Sequence, residues 1–486
     1  MKNLLKDSFF DDINSHSLDI YQRKIILDNT QNLLVVAGAG SGKTLTIIGK
    51  IKYLIEKLNY NPKEILCISF TNETVSNLKN KVPYNIDIFT FHKLSLELLK
   101  DQNYNYNICT ENLLEYITNE FFESIIYTNN LDKYIKYYTN KSLLDLKLNY
   151  PKQYQILLNI TISFIKRIKT NNLSIEDIKS LINKSNSKQK SLLIIILNIY
   201  SIYQEELNSL NQIDFDDMII KAIDITKSNN FKRKYKYIII DEFQDTSPIR
   251  YQLINQIINK TNSKLMCVGD DFQSIYKFSG CNLDLFINFK KYFKNSKIKY
   301  LKNVYRNSYQ VINTSQKFIK KNHYQLKKKL YAHSYLKESL YIIYYNNQNY
   351  KEIFFKLLDY LNNNNQNNIL ILGRYNNDIN TLTNNLEYKN LNLNYLTVHK
   401  SKGLEEENII ILNLVDNYKG FPSKIEDHEI FNLINNDKEK YPYAEERRLF
   451  YVALTRTKKH VYMLVNKDNP SIFIDEIKSN CRELKL

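Results

Sequence analysis

One glycine-rich segment constrains the fold of this chain more than any other feature of its sequence. It runs from Ala37 to Thr44, directly after the apolar run Asn32 to Val36 and directly before a helical pattern. Glycine is scarce, with nine among 486 residues, so composition does not explain three glycines in this one segment. A strand, a small-residue loop and a helix in that order predict a phosphate-binding loop, whose backbone N–H groups converge on phosphate oxygens at the helix N-terminus.

The side chains of this loop predict how a phosphate group would be held. Lys43 is expected to place a positive charge beside the β- and γ-phosphates, and Thr44 offers a hydroxyl to Mg²⁺. Ala37 replaces the first glycine of the strict pattern. The small residues expected to let the backbone approach the phosphates are Ala37, Gly38, Ala39, Gly40, Ser41 and Gly42.

A second segment ends an apolar run with two carboxylates. Tyr237 to Ile240 predicts a buried strand, and Asp241 and Glu242 follow it directly. Alone, this pattern is typical of a solvated strand end, but downstream of a phosphate-binding loop it favours hydrolysis of a phosphoanhydride. Asp241 is then expected to hold Mg²⁺, directly or through water, and Glu242 to orient and deprotonate the attacking water.

The charge balance favours a polyanionic partner. Lys and Arg together number 68 against 51 Asp and Glu, which gives a net charge of +17. A second explanation stays open, because the chain is crowded with Lys, Asn, Ile and Tyr, the residues of A/T-rich codons. Part of the excess charge is then genomic drift rather than function.

Simpler features exclude several classes of protein. No apolar run approaches the ~18 residues of a membrane span, and Asp7, Asp11 and Asp12 interrupt the N-terminal region. The five cysteines are scattered without a C-x-x-C pair, which argues against a zinc ribbon or a disulfide framework. We therefore expect a cytoplasmic protein with reduced thiols and no membrane partner.

Short β-rich apolar runs alternate with longer helical patterns, which predicts an α/β fold. The stretch 101–212 lacks glycine and has mostly helical periodicity, so we interpret it as a helical insertion. The predicted organisation is a first α/β domain over 1–100, the helical insertion over 101–212, the continuation of the first domain over 213–284, and a second α/β domain over 285–486. The strands expected in these domains are Asn32–Val36, Glu64–Ser69, Tyr237–Ile240, Leu265–Val268, Leu340–Tyr344, Ile369–Leu372, Leu393–Val398, Ile409–Leu412 and His460–Leu464.

A series of short motifs, in order along nearly the whole chain, resembles the UvrD/Rep-type DNA helicases of superfamily 1. The most specific are Asp241-Glu242-Phe243-Gln244-Asp245 and the segment Val268 to Tyr276. The further matching segments are Gln22-Arg23, the phosphate-binding loop, Phe70-Thr71-Asn72, Thr90-Phe91-His92, Asp214 to Asp217, Tyr305-Arg306, Thr397 to Glu405, Glu445 to Arg448 and Thr455-Arg456. The resemblance implies two RecA-like P-loop motor domains with parallel sheets, and ATP between them.

The resemblance also implies roles for residues around the nucleotide. Gln22 matches the glutamine that reads the adenine edge, and Tyr305 matches the aromatic residue that stacks on the base. Gln273 matches a sensor near the γ-phosphate, while Arg306 and Arg456 match arginines that reach across the cleft to it. The planar, permanently charged guanidinium suits phosphoryl oxygens that share charge in the transition state. By resemblance, Glu405 lies near the ribose and the phosphates.

Single-stranded DNA and junctions of single- and double-stranded DNA are the partners that the resemblance implies, together with a possible protein partner in repair or replication. Phe70, Tyr276 and Phe278 match positions where rings stack on bases, an interaction that tolerates any base. The candidate polar contacts to the strand are Thr71, Thr90, His92 and His399. By resemblance, the motor moves from 3′ to 5′.

Some positions depart from the family pattern. Leu45 stands where close relatives often have an arginine over the adenine, and Val304 replaces an asparagine. Ser279 stands where an arginine often contacts DNA. Between Gly373-Arg374-Tyr375 and Thr397 only residues 375–396 remain, too few for the family's second accessory domain.

Three interpretations of the function follow from the sequence. The first is an ATP-dependent DNA helicase. The second is a translocase that displaces proteins from single strands without separating duplexes. The third is a non-catalytic nucleic-acid-binding subunit, against which the full set of Lys43, Asp241, Glu242, Gln273, Arg306 and Arg456 argues.

Overall fold

The computed structural model describes residues 4–109, 112–128, 131–229, 231–383, 390–434 and 439–486. Its strands are mostly short, and three of the sixteen strands in the described residues are buried along their whole length. In chain order they are β1 (Asn32–Val36), β2 (Ile65–Ser69), β3 (Asp87–Thr90), β4 (Asn107–Ile108), β5 (Gln212–Ile213), β6 (Tyr237–Ile240), β7 (Lys264–Gly269), β8 (Ser296–Tyr300), β9 (Asn303–Ser308), β10 (Tyr331–Ser334), β11 (Leu340–Tyr345), β12 (Asn368–Gly373), β13 (Asn392–Thr397), β14 (Glu406–Leu414), β15 (Thr457–Asn466) and β16 (Arg482–Glu483).

Helices connect most of these strands. In chain order they are α1 (Ile20–Ile26), α2 (Lys43–Glu56), α3 (Asn72–Lys81), α4 (Phe91–Lys100), α5 (Leu113–Thr128), α6 (Asp132–Thr139), α7 (Leu143–Asn149), α8 (Pro151–Thr170), α9 (Ile175–Lys184), α10 (Ser187–Ser209), α11 (Phe215–Lys227), α12 (Pro248–Thr261), α13 (Asp284–Ile287), α14 (Phe289–Tyr292), α15 (Tyr309–Ile319), α16 (Tyr350–Asn363), α17 (Asn376–Thr383), α18 (Ala444–Leu454) and α19 (Ile472–Ile477). Among the described residues, none of these helices combines the length and the apolar character that crossing a bilayer requires.

Two parallel sheets of six strands organise the molecule. The first has the order β3-β2-β6-β7-β1-β8 and the second the order β13-β12-β14-β15-β11-β16. Parallel strands need crossover connections, and helices on both faces leave central strands such as β6 fully buried. We call the first sheet with its helices the first unit, and the second sheet with its helices, together with β9, β10 and α15, the second unit. The α/β prediction with parallel sheets is confirmed.

The strands predicted from apolar runs are all present, but two strands of the first sheet were missed. β3 and β8 lie at the two edges of that sheet, and β8 alternates polar and apolar residues as Ser-Lys-Ile-Lys-Tyr. An edge strand has one neighbour and more access to water, so it does not need a continuous apolar run. Because β8 pairs with β1, the first sheet extends to Tyr300, and the predicted start of the second domain at residue 285 is too early.

The stretch predicted as a helical insertion contains helices α5 to α10, which share an apolar core of their own. Ile430 and Phe431 of the second unit also belong to this core, with 0% and 6% of their surfaces exposed. We call residues 427–434 the docking segment. The Arg167 guanidinium of α8 lies 3.9 Å from the centroid of the Phe431 ring and donates a hydrogen bond to Asp427 Oδ2 at 3.1 Å. Lys169 of α8 also pairs with Asp217 of the first unit at 2.8 Å, so the insertion is anchored to both units.

Replacing Phe431 by alanine should release the docking segment from the helical insertion. Loss of a buried phenyl ring costs about 3 kcal/mol or more, so we expect faster hydrogen–deuterium exchange in α6 and α8, which contact the docking segment. Tyr418→Ala is a matched control, because Tyr418 lies in the same connection with 64% of its surface exposed. Unchanged exchange in α6 and α8 of Phe431→Ala would contradict the anchoring role.

Candidate functional site

The glycine-rich loop lies between the end of β1 and the start of α2. Gly40 and Gly42 have φ angles of +67° and +78°, a conformation that residues with a Cβ rarely adopt. α2 begins at Lys43, so the unpaired N–H groups of its first turn face the loop. A Cβ added to Gly40 would lie 2.4 Å from the Cβ of Arg306. The backbone of the loop therefore packs directly against the second unit.

A cleft of about 810 Å³ opens along this loop, between the two units. The first unit contributes the loop and the first turn of α2, and the second unit contributes Arg306, Glu405 and Lys458. Asn14, His16 and Lys81 also line it, and the sequence analysis had not singled them out. The lining residues are Asn14, His16, Gly40, Ser41, Gly42, Lys43, Thr44, Leu45, Ile48, Lys81, Tyr305, Arg306, Ser334, Glu405 and Lys458.

Lys43 and Glu242 form a close ion pair at the first-unit side of the cleft. Lys43 Nζ lies 2.5 Å from Glu242 Oε1, and the other carboxylate oxygen of Glu242 accepts a hydrogen bond from Gln244 Nε2 at 2.6 Å. Burial opposes ionisation of Glu242, but the Lys43 ammonium outweighs it and lowers the Glu242 pKa. The Glu242 backbone is left-handed, with φ of +49°. Two side chains and an unusual backbone conformation thus fix the direction of this carboxylate.

Asp241 lies at the end of β6 and is almost fully buried. One of its carboxylate oxygens, Oδ1, accepts a hydrogen bond from the Glu242 backbone N–H at 2.9 Å. Burial raises the pKa of Asp241, and the negative charge of Glu242 raises it further. The pKa values of these two adjacent carboxylates are therefore shifted in opposite directions, because only Glu242 has a direct ion pair with Lys43.

The available donors fit a magnesium ion that is bound partly by phosphate oxygens. The Thr44 hydroxyl and the Asp241 carboxylate are hard oxygen ligands of the kind that Mg²⁺ prefers. In the part of the chain that the structure describes, no group of three or more His, Cys, Asp or Glu side chains is arranged to hold a metal. Mg²⁺ commonly takes only one or two protein ligands and completes its shell with phosphate and water, so two donors suffice.

Gln273 connects the two units through hydrogen bonds of its side chain. Its Nε2 donates to Asp270 Oδ2 at 2.6 Å, and its Oε1 accepts from Arg456 Nη2 at 2.9 Å. Arg456 is fully buried and also donates to the carbonyl oxygens of Val452 and Leu404. Burial, reinforced by the nearby Arg306, lowers the Arg456 pKa to about 9. The two arginines predicted to reach across the cleft therefore lie close enough to interact.

Arg306 is held at the cleft by Glu405. Its Nε donates to Glu405 Oε2 at 2.5 Å, and Lys458 Nζ lies 3.3 Å from the other oxygen of the same carboxylate. Burial of Glu405 opposes its ionisation, but Arg306 and Lys458 lower its pKa. Glu405 thus lies between the charged groups of Arg306 and Lys458, and all three residues line the cleft.

Gln22 and Tyr305, the residues predicted to contact a base, are both hydrogen-bonded to Asp19, which was not predicted as a site residue. Asp19 caps α1, its N–H donates to Gln22 Oε1 at 2.8 Å, and its carboxylate accepts from the Tyr305 hydroxyl at 2.6 Å. The Tyr305 ring is stacked on His333, with centroids 4.8 Å apart. An Asp three residues before a Gln at a helix start is a capping-box signal, which could have identified Asp19.

Three of the predicted DNA-binding residues form a cluster of rings. The centroids of Phe278 and His399 are 5.7 Å apart, and those of Tyr276 and Phe278 are 6.0 Å apart. The Tyr276 hydroxyl donates to the His399 carbonyl at 3.1 Å, so this cluster also bridges the two units. Burial lowers the pKa of His399 to about 4, and Arg374 and Lys402 act in the same direction, which keeps the ring neutral at pH 7.

The other candidates form a second group on the first unit. Phe70 packs against Phe91, with the Arg250 guanidinium 5.1 Å from the Phe70 ring centroid. His92 packs against Phe215, and its pKa is lowered to about 4 by burial and by Arg250. The hydroxyls of Thr71 and Thr90 cap α3 and α4 by accepting from backbone N–H groups.

Two buried lysines were missed as site residues. Lys402 stands inside a recognised motif, and its Nζ donates to the Gln273 carbonyl at 2.7 Å and to Asp245. Lys328 bonds to Asp270, to Asp271 and to the Ala37 carbonyl of the glycine-rich loop. Lys328 lies in a run of three lysines, a pattern that favours a solvated surface, and no signal in the sequence distinguishes it from its neighbours.

Comparison with known proteins agrees with this arrangement. The family model described as UvrD/REP helicase N-terminal domain matches residues 18–294, and the one described as UvrD-like helicase C-terminal domain matches residues 392–468. The chain is 27% identical to DNA helicase IV of Escherichia coli K12 over 97% of its own length and 71% of that protein. It is 27% identical to a probable DNA helicase of Mycoplasma pneumoniae over 90% of its length and 81% of that protein.

A third relative is an ATP-dependent DNA helicase Rep of Buchnera aphidicola subsp. Acyrthosiphon pisum. It is 30% identical over 65% of this chain, which spans 47% of the length of that relative. The chain has two parallel sheets, and its glycine-rich loop lies at the cleft between the two units. The family models match residues in both halves of the chain. The chain belongs to the UvrD/REP helicase family.

Proposed function

We propose that this protein is an ATP-driven motor that moves from 3′ to 5′ along single-stranded DNA and separates duplexes. The observation that carries the proposal is the cleft between the units, where the phosphate-binding loop of one unit faces Arg306, Glu405 and Lys458 of the other. A triphosphate in this cleft would contact both units at once, so its binding and hydrolysis would change how the units fit together.

The chemistry of the cleft suits phosphoanhydride hydrolysis. Lys43 belongs to the phosphate-binding loop. When a triphosphate binds, Lys43 would exchange its ion pair with Glu242 for contacts with phosphate oxygens. Glu242 would then be free to accept a proton from the attacking water. Mg²⁺ held by Thr44 and Asp241 would neutralise charge on the phosphates when bound. Arg306 would meet the oxygens of the γ-phosphoryl group that is transferred to water.

Gln273 and Arg456 are suited to report the state of the nucleotide to the second unit. Their hydrogen bond joins the two units, next to Asp270. Arg456, the donor, would exchange this bond for one to a γ-phosphate oxygen, and the loss of that phosphate would restore it. The contact between units therefore has two arrangements, which a motor cycle requires.

The DNA side is connected to this contact over a short distance. Lys402 binds the carbonyl of Gln273 and lies 4.8 Å from the centroid of the Tyr276 ring. Tyr276 is bonded to His399 and packs on Phe278, whose ring is 61% exposed and available to stack on a base. A shift of Gln273 would thus move Tyr276, three residues away, and with it the exposed ring of Phe278. Neutral His399 suits contact with a base or sugar rather than with a phosphate.

Hydrolysis should depend on Glu242. Glu242→Gln keeps the shape of the side chain but cannot accept a proton, so kcat for ATP hydrolysis with single-stranded DNA should fall by about 10²–10⁴-fold while ATP is still bound. Glu176→Gln, at an exposed position of α9, is the control. A coupled-enzyme phosphate assay measures kcat, and a fluorescent ATP analogue measures binding. Unchanged turnover in Glu242→Gln would favour the non-catalytic alternative.

Binding of single-stranded DNA should depend on the exposed ring of Phe278. Phe278→Ala should weaken binding by about 1–3 kcal/mol, whatever the base sequence, because stacking tolerates any base. Fluorescence anisotropy of labelled homopolymers measures the effect. Phe355→Ala is the control, since Phe355 is a partly exposed phenylalanine on α16, outside the ring cluster. Equal affinities for the two variants would place the DNA elsewhere.

Strand separation and its direction need a separate measurement. A motor that moves from 3′ to 5′ should displace the labelled strand of a duplex with a 3′ single-stranded tail and leave a 5′-tailed duplex intact. The Glu242→Gln variant serves as the inactive control. Release of streptavidin from a biotinylated single strand, with no duplex opening, would identify a translocase instead. Opening of 5′-tailed duplexes alone would reverse the proposed direction.

A further inference from the structure

Lys328 is a buried cation at the contact between the two units. Its segment follows α15 of the second unit, and its side chain is 1% exposed. Lys327 and Lys329, its neighbours in sequence, are both exposed. Burying an ammonium group is unfavourable unless charged or polar partners surround it. The burial of this one lysine of three therefore points to specific partners.

Those partners belong to the first unit and include the glycine-rich loop itself. Lys328 Nζ donates to the Ala37 carbonyl at 3.0 Å and to Asp271 Oδ1 at 2.7 Å, and it also donates to Asp270. The ammonium nitrogen lies 3.7 Å from the centroid of the Phe272 ring. All three protons of the ammonium thus have an oxygen acceptor, and two of those acceptors are carboxylates with 0% exposure.

The main chain around Lys328 is fixed to the same place. Leu326 N–H donates to Asp271 Oδ2 at 2.9 Å, and Gln325 Nε2 donates to the Asp271 carbonyl at 3.2 Å. Leu330 packs against Gly38 so closely that a Cβ on that glycine would lie 2.4 Å from Leu330 Cδ1. Lys328 therefore reaches its acceptors from a segment that cannot shift far.

The second oxygen of Asp270 leads from Lys328 to the catalytic groups. Asp270 Oδ2 accepts from the Gln273 amide nitrogen, which turns the amide oxygen of Gln273 toward Arg456. The nitrogen of an amide donates hydrogen bonds and its oxygen accepts them. The orientation of the Gln273 amide therefore depends on whether the neighbouring carboxylate oxygen accepts or donates. A hydrogen-bonded path thus runs from the Ala37 carbonyl through Lys328, Asp270 and Gln273 to Arg456.

We propose that Lys328 is a positioning residue for ATP hydrolysis: it holds the Asp270 carboxylate in place, and Asp270 in turn sets the orientation in which Gln273 meets Arg456. The same ammonium group ties that network to the phosphate-binding loop. This inference rests on the proposed function, since it assigns Lys328 to the hydrolytic step of the same cleft. Through these hydrogen bonds, Lys328 fixes the contact between the two units in the position that orients the Arg456 side chain.

Steady-state hydrolysis of ATP with single-stranded DNA tests the proposal in the full chain. Lys328→Met removes the charge but keeps much of the side-chain length, and misplacement of the catalytic groups should lower kcat by about 100-fold. KM for ATP should change by less than about threefold, because the loop and Lys43 remain. Lys328→Arg should recover part of kcat. Lys327→Met and Lys329→Met are matched controls and should behave like the wild type.

A further variant separates positioning from charge balance. Lys328→Met leaves two buried carboxylates without their cation, so the protein can lose stability for that reason alone. Lys328→Met combined with Asp271→Asn removes one of these charges, and all variants are assayed below their unfolding temperatures. A stable double variant with low kcat would support positioning.

The opposite results overturn the inference. Recovery of wild-type kcat in the double variant would show that Lys328 only balances charge. Wild-type kcat in Lys328→Met itself would show that it has no part in hydrolysis, while the activity of the wild-type protein leaves the proposed function intact. No hydrolysis by the wild-type protein would overturn the proposed function, and this inference with it.

Discussion

Ion pairs buried between the two units are the interactions on which the rest of this structure depends. Lys328 of the second unit meets Asp270 and Asp271 of the first, and Lys402 of the second unit meets Asp245 of the first. Each of these charges would be strongly unfavourable without its partner, because water is excluded from both sites. The units therefore have few acceptable arrangements. In the arrangement described, the glycine-rich loop faces the arginines of the opposite unit.

These ion pairs also connect the nucleotide cleft to the ring cluster. The segment 270–276 lies between the cleft and the ring cluster. Asp270 is hydrogen-bonded to Lys328, and the Gln273 carbonyl accepts a hydrogen bond from Lys402. The Tyr276 hydroxyl donates to the second unit. A change at the Gln273 side chain acts on a short segment that is fixed at both ends. A continuous set of hydrogen bonds thus joins the cleft to the ring cluster.

Local features of the sequence were sufficient to predict most of the fold and much of the site. Buried parallel strands such as β6 need continuous apolar runs, and a loop that wraps a phosphate needs glycine at positions such as Gly40 and Gly42. Edge strand β8 was missed because its exposure to water relaxes that requirement. Lys328 and the docking segment could not be predicted, since their importance lies in partners distant in sequence. Neither a lysine run nor Ile430-Phe431 specifies which distant surface it will meet.

The docking segment also links the helical insertion to the contact between the two units. Residues 374–391, which include α17, join β12 to β13 and are too few for a folded accessory domain. The helical insertion is therefore the one accessory element among the described residues. Lys169 in α8 is paired with Asp214 and Asp217 of the first unit. Two residues earlier on α8, Arg167 packs against Phe431 in the connection that leads to α18 and Arg456. A single helix thus contacts both units, so a change in their relative position must deform α8 or detach the docking segment.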